Sequence, residues 1–183
     1  MIDAIGTTED RAEYGAKPER DLRQEWETPP ELFDAVNAMA RVWRDICASI
    51  DNRKVERYFN TSDDALKIDW FDEGLRFIHG VWCNPPFGDM ASWLAKAYEQ
   101  VQKYPNGVAW VLSPVDTSTR WWHDYATKAA EIWYLTPRVK FIPPSPDIKA
   151  SNGPAGAHCL LVYRHLPEGA TRNQAIINWR WKK

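Results

Sequence analysis

The sequence predicts an α/β fold: a mostly parallel twisted sheet with flanking helices. Three observations predict it. Short apolar runs at 42–48, 81–84, 108–112, 130–135 and 157–163 alternate with stretches of helical periodicity. Capping and breaking residues such as Thr28-Pro29 and Asn106-Gly107 fall between them. At 183 residues the chain is the size of one domain, with room for a sizeable core.

The elements follow in order. Residues 1–24 are charged, have little apolar periodicity and read as an irregular or mobile arm. Thr28 is placed to cap a helix, with Pro29 in its first position and Glu31 completing a capping box. Leu32, Phe33, Val36 and Met39 make the helix's apolar stripe, to about Ala40. A first strand spans 42–48, a short helix or turn 51–57, and a short second strand 57–60. Residues 61–76 read as an acidic loop with Asp63, Asp64, Asp69 and Asp72. The strand at 81–84 leads into Asn84-Pro85-Pro86-Phe87, and a helix follows with Met90, Trp93, Leu94, Ala97, Tyr98 and Val101 at helical spacing. Asn106-Gly107 stops it before a buried strand at 108–112. Thr117 or Ser118 then caps a helix to about Ala129, and another strand covers 130–135. A long loop over 137–156 is dense in proline and carries Arg138, Lys140 and Lys149, and a last apolar strand closes at Tyr163. Residues 25–166 form the expected catalytic domain, and 167–183 a basic aromatic tail.

Charge is distributed unevenly. Residues 1–34 hold four basic and ten acidic side chains, residues 35–163 hold 14 of each, and residues 164–183 hold five basic and one acidic. The tail interleaves Trp179 and Trp181 with Arg180, Lys182 and Lys183, which suits phosphates and bases or, equally, a solvated terminus. Cys47, Cys83 and Cys159 sit in apolar surroundings without CxxC spacing and read as free thiols in a reducing compartment. They form no zinc pattern with the four scattered histidines. There is no membrane-length apolar run and no signal peptide pattern, so a cytoplasmic location is expected.

The chemistry concentrates in Asn84-Pro85-Pro86-Phe87. Two prolines fix φ and remove two N–H donors, so the loop offers acceptors and one aromatic face. That suits a flat ring carrying an NH2 group. An exocyclic amine on a nucleobase is a poor nucleophile because its lone pair is delocalised into the ring. The Asn84 side-chain oxygen and the Pro85 carbonyl could each accept one N–H and localise that lone pair, while Phe87 stacks on the ring. The reaction suggested is methyl transfer to the amine, driven by positioning and electrostatics. Trp121-Trp122-His123-Asp124 has no accompanying nucleophile motif and reads as a helix with an aromatic core face. Trp93 and Tyr98 read as core.

Ordered segments from Glu25 to Arg164 together resemble the phage-type DNA adenine-N6 methyltransferase family. They are 26–33 (Trp-Glu-Thr-Pro-Pro-Glu-Leu-Phe), 45–49, Tyr58-Phe59 with 63–66 and Asp69-Trp70, 84–87, 112–114 through 121–124, and 138–141. The resemblance implies a Rossmann-like S-adenosylmethionine-dependent methyltransferase fold, adenine in DNA as acceptor, and a target base flipped from the stack. It implies Asn84, Pro85, Pro86 and Phe87 as catalytic residues. It places Trp26, Thr28, Pro29, Asp45, Ala48 and Ser49 at the donor, with Asp63, Asp64 or Asp69 at its ribose or adenine. Arg120, Arg138, Lys140 and Arg180 are the candidate nucleic-acid contacts. Two features depart from the family pattern: Ala48-Ser49 stands where a glycine-rich motif is usual, and Phe87 where tyrosine is more frequent. No large target-recognition domain is visible, so specificity is expected from 1–24, the 137–156 loop or the tail. Rival readings are an RNA base or protein glutamine as acceptor, a cytosine-N4 methyltransferase, and a non-catalytic DNA-binding module. Asn84 speaks against the cytosine reading, and the intact tetrapeptide against the module.

Overall fold

The structure, a computed structural model, describes residues 25–74, 76–149, 153–167 and 174–182. The arm expected over 1–24 lies outside the described residues. Helix α1 (Pro30–Ala40) leads into strand β1 (Val42–Asp45). Strand β2 (His79–Cys83) is followed by a 3-10 turn (Phe87–Asp89) and helix α2 (Met90–Lys103). Strand β3 (Gly107–Pro114) precedes the short helix α3 (Arg120–Asp124) and a 3-10 turn (Ala126–Lys128). Strands β4 (Glu131–Thr136), β5 (His158–Arg164) and β6 (Ala175–Arg180) complete one six-stranded sheet in the order β1-β2-β3-β5-β4-β6.

Only β5 runs against the others. It pairs antiparallel with β3 and β4, while the β1–β2, β2–β3 and β4–β6 pairs are parallel. Alternate residues of the central strands feed two cores, one on each face. Val81, Cys83, Ala109, Val111, Cys159 and Leu161 pack with α2 residues such as Leu94 and Ala97, and with Trp70 and Phe71. Trp82, Trp110, Leu112, Leu160 and Val162 pack with Leu32, Phe33 and Val36 of α1. The result is a three-layer arrangement with the sheet in the middle. Gly80 allows the close approach of β2 to the end of α1: a Cβ there would sit 2.5 Å from the Ala40 carbonyl oxygen.

Several elements differ from the sequence expectation. α1 starts at Pro30, with Pro29 rather than Thr28 at the cap and no side-chain capping bond, so the capping box does not form. β1 stops at Asp45, three residues short, and the second strand is reduced to a single parallel bridge between Asp45 and Tyr58. The helix expected to about Ala129 breaks at Tyr125, where φ is −130°. The expected tail is a strand in its central part: β6 pairs with β4 from Ala175↔Glu131 to Arg180↔Thr136. Its burial alternates from Ile177 to Arg180, as suits an edge strand with one covered face, and the covered face includes Trp179 against Trp133 at 5.4 Å.

Candidate active site

Parallel strands β1 and β2 end side by side, and their carboxyl ends open onto a cavity of about 320 Å³. Sites of this kind form where adjacent strands of an open α/β sheet end. β1 delivers Asp45, and β2 delivers Asn84 one residue beyond its end. Asp45 is 3% exposed. Its Oδ1 accepts the Cys47 N–H at 3.3 Å and its Oδ2 the Lys54 N–H at 3.1 Å. This carboxylate therefore organises the loop after β1, in which Asn52 Oδ1 also accepts the Ser49 N–H at 2.7 Å. No helix follows β1 directly, so Ala48 and Ser49 line the cavity from turns rather than from a glycine-rich helix start. Burial pushes the Asp45 carboxyl up to about 6, against the lowering effect of the two backbone N–H groups and the Lys54 charge.

The opposite wall comes from the segment before α1. Glu27 pairs with Ile142 through two backbone hydrogen bonds of 3.0 Å, which bind this segment to the Pro-rich loop. Trp26 is buried, and its ring lies under Gly153, where a Cβ would approach it to 3.0 Å. The Trp26 carbonyl accepts a hydrogen bond from Asn84 Nδ2 at 2.9 Å. That bond sets the amide's orientation: the nitrogen is tied to the scaffold, and Oδ1 is the acceptor end of a side chain lining the cavity. Thr28 Oγ1 is buried without a hydrogen-bond partner, and Thr28 also lines the cavity. An orphaned hydroxyl in a cavity wall suits a polar ligand group.

Among the described residues the cavity walls carry Glu25, Glu27, Asp45 and Asp64 against one cation, Lys54, which pairs with Glu27 at 2.6 Å. Phe59, Leu66 and Trp93 supply apolar surface. A ligand with both cationic and flat apolar parts fits this lining. Cys47 also lines it, with its Sγ 3.5 Å from that of Cys83. Burial first, and then the neighbouring thiol, raise the Cys47 pKa well above its ordinary value.

Of the expected donor residues, the structure brings Trp26, Thr28, Asp45, Ala48, Ser49 and Asp64 to the cavity. It does not bring Pro29, Asp63 or Asp69 there. Pro29 occupies the cap position of α1. Asp63 accepts the Asn60 N–H at 2.7 Å and closes a turn. Asp69 faces α2, where Lys103 at 2.8 Å and Gln100 at 2.9 Å hold its carboxyl down at about 2. Trp93, expected as core, contributes to the lining as well as packing against the core. Glu27, Lys54 and Phe59 also line the cavity, and nothing local in the sequence distinguishes the Glu27–Lys54 pair from surface charge or Phe59 from packing.

Within the tetrapeptide, Asn84 and Pro86 line the cavity, and Pro85 is buried beneath. Phe87 is half-buried and packs on Phe141 at 5.9 Å and His158 at 5.6 Å. His158 is 2% exposed, and neither ring nitrogen has a hydrogen-bond partner. Burial, and secondarily the charge of Arg138, hold its imidazole down at about 4, so it is neutral near pH 7. Asp89 caps α2 through the Ser92 N–H at 3.3 Å, so the loop is anchored at both ends. Among the expected nucleic-acid contacts, Arg120 is paired with Asp124 at 3.1 Å, Arg138 and Lys140 are exposed after β4, and Arg180 is exposed at the end of β6.

A mostly parallel sheet with an acidic, partly aromatic cavity beside an Asn-Pro-Pro-Phe loop defines a Rossmann-like methyltransferase domain. The chain belongs to the DNA N-6-adenine-methyltransferase (Dam) family, whose pattern it matches over residues 15–178. It is 29% identical over 115 residues to a DNA N-6-adenine-methyltransferase of Escherichia phage T1, covering 62% of this chain and 45% of that protein. It is 30% identical over 129 residues to a DNA N-6-adenine-methyltransferase of Haemophilus phage HP1, covering 69% of each. A putative methyltransferase of Escherichia coli K12, YfdM, is 28% identical over 75 residues, 39% of this chain and 82% of that protein. Among the described residues no helix is long and apolar enough to cross a membrane.

Proposed function

We propose that this chain transfers a methyl group from S-adenosylmethionine to the N6 amine of adenine in DNA. The observation that carries the reading is the orientation of Asn84: its Nδ2 is tied to the Trp26 carbonyl, and its oxygen is left as an acceptor at the cavity. S-adenosylmethionine supplies an electrophilic methyl group on a sulfonium sulfur. The excess of carboxylates around the cavity favours the positive charges of that molecule. Asp45 stands at the cationic part, and the Thr28 hydroxyl offers a hydrogen bond to its polar end. Phe59 and Trp93 offer surface to its adenine.

The acceptor side is supplied by the chain's own loop. Asn84 Oδ1 and the Pro85 carbonyl accept the two N–H bonds of the amine. This draws the nitrogen toward tetrahedral geometry and localises its lone pair, and it does so most strongly as positive charge develops there. Phe87 stacks on the purine, an interaction worth about 1–3 kcal/mol. The Phe141–His158 pair behind Phe87 fixes the ring plane. An adenine in a duplex reaches this loop only after leaving the stack, at a cost of a few kcal/mol that these contacts offset.

The test is incubation of the protein with S-adenosylmethionine labelled in the methyl group and unmethylated DNA, with nucleosides resolved by mass spectrometry. N6-methyldeoxyadenosine is the expected product. Label found in RNA or in protein glutamine, with none in DNA, would overturn the assignment of acceptor.

A further inference from the structure

Five strands run in one direction, so the chain leaving β4 and β6 emerges at the same edge as Asp45 and Asn84. After β4 come Arg138 and Lys140; after β6 come Trp181 and Lys182. These four residues, with Pro30 and Ile142, line a shallow groove of about 700 Å³. Trp181 is fixed in it: its backbone N–H donates to the Thr136 carbonyl at 3.0 Å and its Nε1–H to the Pro137 carbonyl at 2.8 Å. Among the described residues Glu31 is the one carboxylate lining the groove, 3.7 Å from Lys182 Nζ. Three cations therefore face one anion, and among the described residues no carboxylate pairs with Arg138 or Lys140.

The groove adjoins the acceptor side of the active site through two connections. Ile142, in its wall, is bonded to Glu27, the neighbour of the Trp26 that holds Asn84. Arg138 is close enough to His158 for its charge to act on that imidazole, and His158 packs on Phe87.

We propose that this groove holds the sugar–phosphate backbone of duplex DNA beside the target base. Arg138, Lys140 and Lys182 contact phosphates, and the fixed indole of Trp181 packs against a sugar. The proposal rests on the reading of the chain as a DNA methyltransferase and adds the surface that grips the duplex. Charge complementarity selects the occupant: an unbalanced cation cluster with a half-buried aromatic floor, at the edge where the base must enter, matches a nucleic-acid backbone.

The experiment measures duplex binding by fluorescence anisotropy, with S-adenosylhomocysteine present, across a range of salt concentrations. Each neutralised phosphate contact contributes about 0.9 to the slope of log affinity against log salt. Arg138→Gln, Lys140→Gln and Lys182→Gln should each reduce that slope by about 1. Trp181→Ala should weaken binding at every salt concentration and leave the slope unchanged, since it removes packing and no charge. S-adenosylmethionine affinity should stay the same in all four. Arg76→Gln, before β2 at the opposite edge, should match the wild type. An unchanged slope in the triple glutamine variant, with the wild type binding duplex, would overturn the groove as the DNA surface, as it would if the groove took an acidic protein segment instead. A wild-type protein that binds S-adenosylmethionine but no duplex at any salt concentration would overturn the functional reading itself.

Discussion

Replacing Asp45 by asparagine should change how stability depends on pH, by an amount the structure sets. The carboxyl is buried at the end of β1, and its pKa rises from the ordinary 3.8 to about 6. Above pH 6 the folded protein carries a buried charge that the unfolded chain carries in water. The folded state therefore holds a proton more tightly, and this group's stabilising contribution is complete below 3.8 and lost as pH rises through 6. The difference between pH 4 and pH 7 amounts to about 2 kcal/mol. Asparagine cannot titrate, so the variant lacks this component. It also keeps only one carbonyl for the two N–H groups of Cys47 and Lys54, which costs about 1–3 kcal/mol. Urea unfolding of both proteins at several pH values isolates the effect: the variant should lose ground to the wild type as pH falls from 7 to 4. On the proposed placement of S-adenosylmethionine beside Asp45, its binding should pull the Asp45 pKa back down and release protons below pH 6, read by calorimetry in two buffers. A stability difference that does not vary with pH would refute the reasoning.

Other perturbations separate the site from its scaffold. Phe87→Tyr should methylate DNA at near the wild-type rate, while Phe87→Ala should lose roughly 5- to 150-fold in kcat/KM for DNA, the equivalent of about 1–3 kcal/mol of stacking. Asp69→Asn should lower stability by less than about 1 kcal/mol at pH 7, because its partner Lys103 is half-exposed, and should leave donor affinity unchanged in equilibrium dialysis. The Asp69 contribution has the opposite sign to that of Asp45: it is present above 3.8 and fades as acid titrates the carboxyl near 2. Gly80→Ala should destabilise by about 1–3 kcal/mol in denaturant unfolding, since the new Cβ meets the Ala40 carbonyl.

The parts of the fold legible in the sequence were those with a strong local pattern. α2 repeats its apolar residues at helical spacing and is closed by Asn106-Gly107, and β3 and β5 are continuous apolar runs. Asn84-Pro85-Pro86-Phe87 announces itself because two adjacent prolines leave few conformations and few donors. β6 was hidden because its partner β4 lies about 44 residues away in sequence, and because Arg180, Lys182 and Lys183, interleaved with Trp179 and Trp181, look like a solvated tail. Thr28 has the composition of a helix cap, yet the following prolines carry the helix start, and its hydroxyl lies instead in the cavity wall. Asp63, Asp64 and Asp69 cannot be ranked from local sequence, since turn closure, cavity lining and an ion pair to α2 all use the same carboxylate. The packing of α2 against residues 69–70, through Gln100, sets Asp69 apart, and the turn closed on Asn60 separates Asp63 from the cavity-lining Asp64.

The most direct measurement of the central claim follows donor binding and turnover together in Asn84→Ala. The alanine removes the acceptor that polarises the amine and leaves the carboxylates and aromatics of the donor cavity in place. The account predicts S-adenosylmethionine affinity within about threefold of wild type and methyl transfer to DNA reduced by about 10²- to 10³-fold or more. Methyl transfer that survives the substitution at a near-normal rate would contradict the role assigned to Asn84, and with it the mechanism.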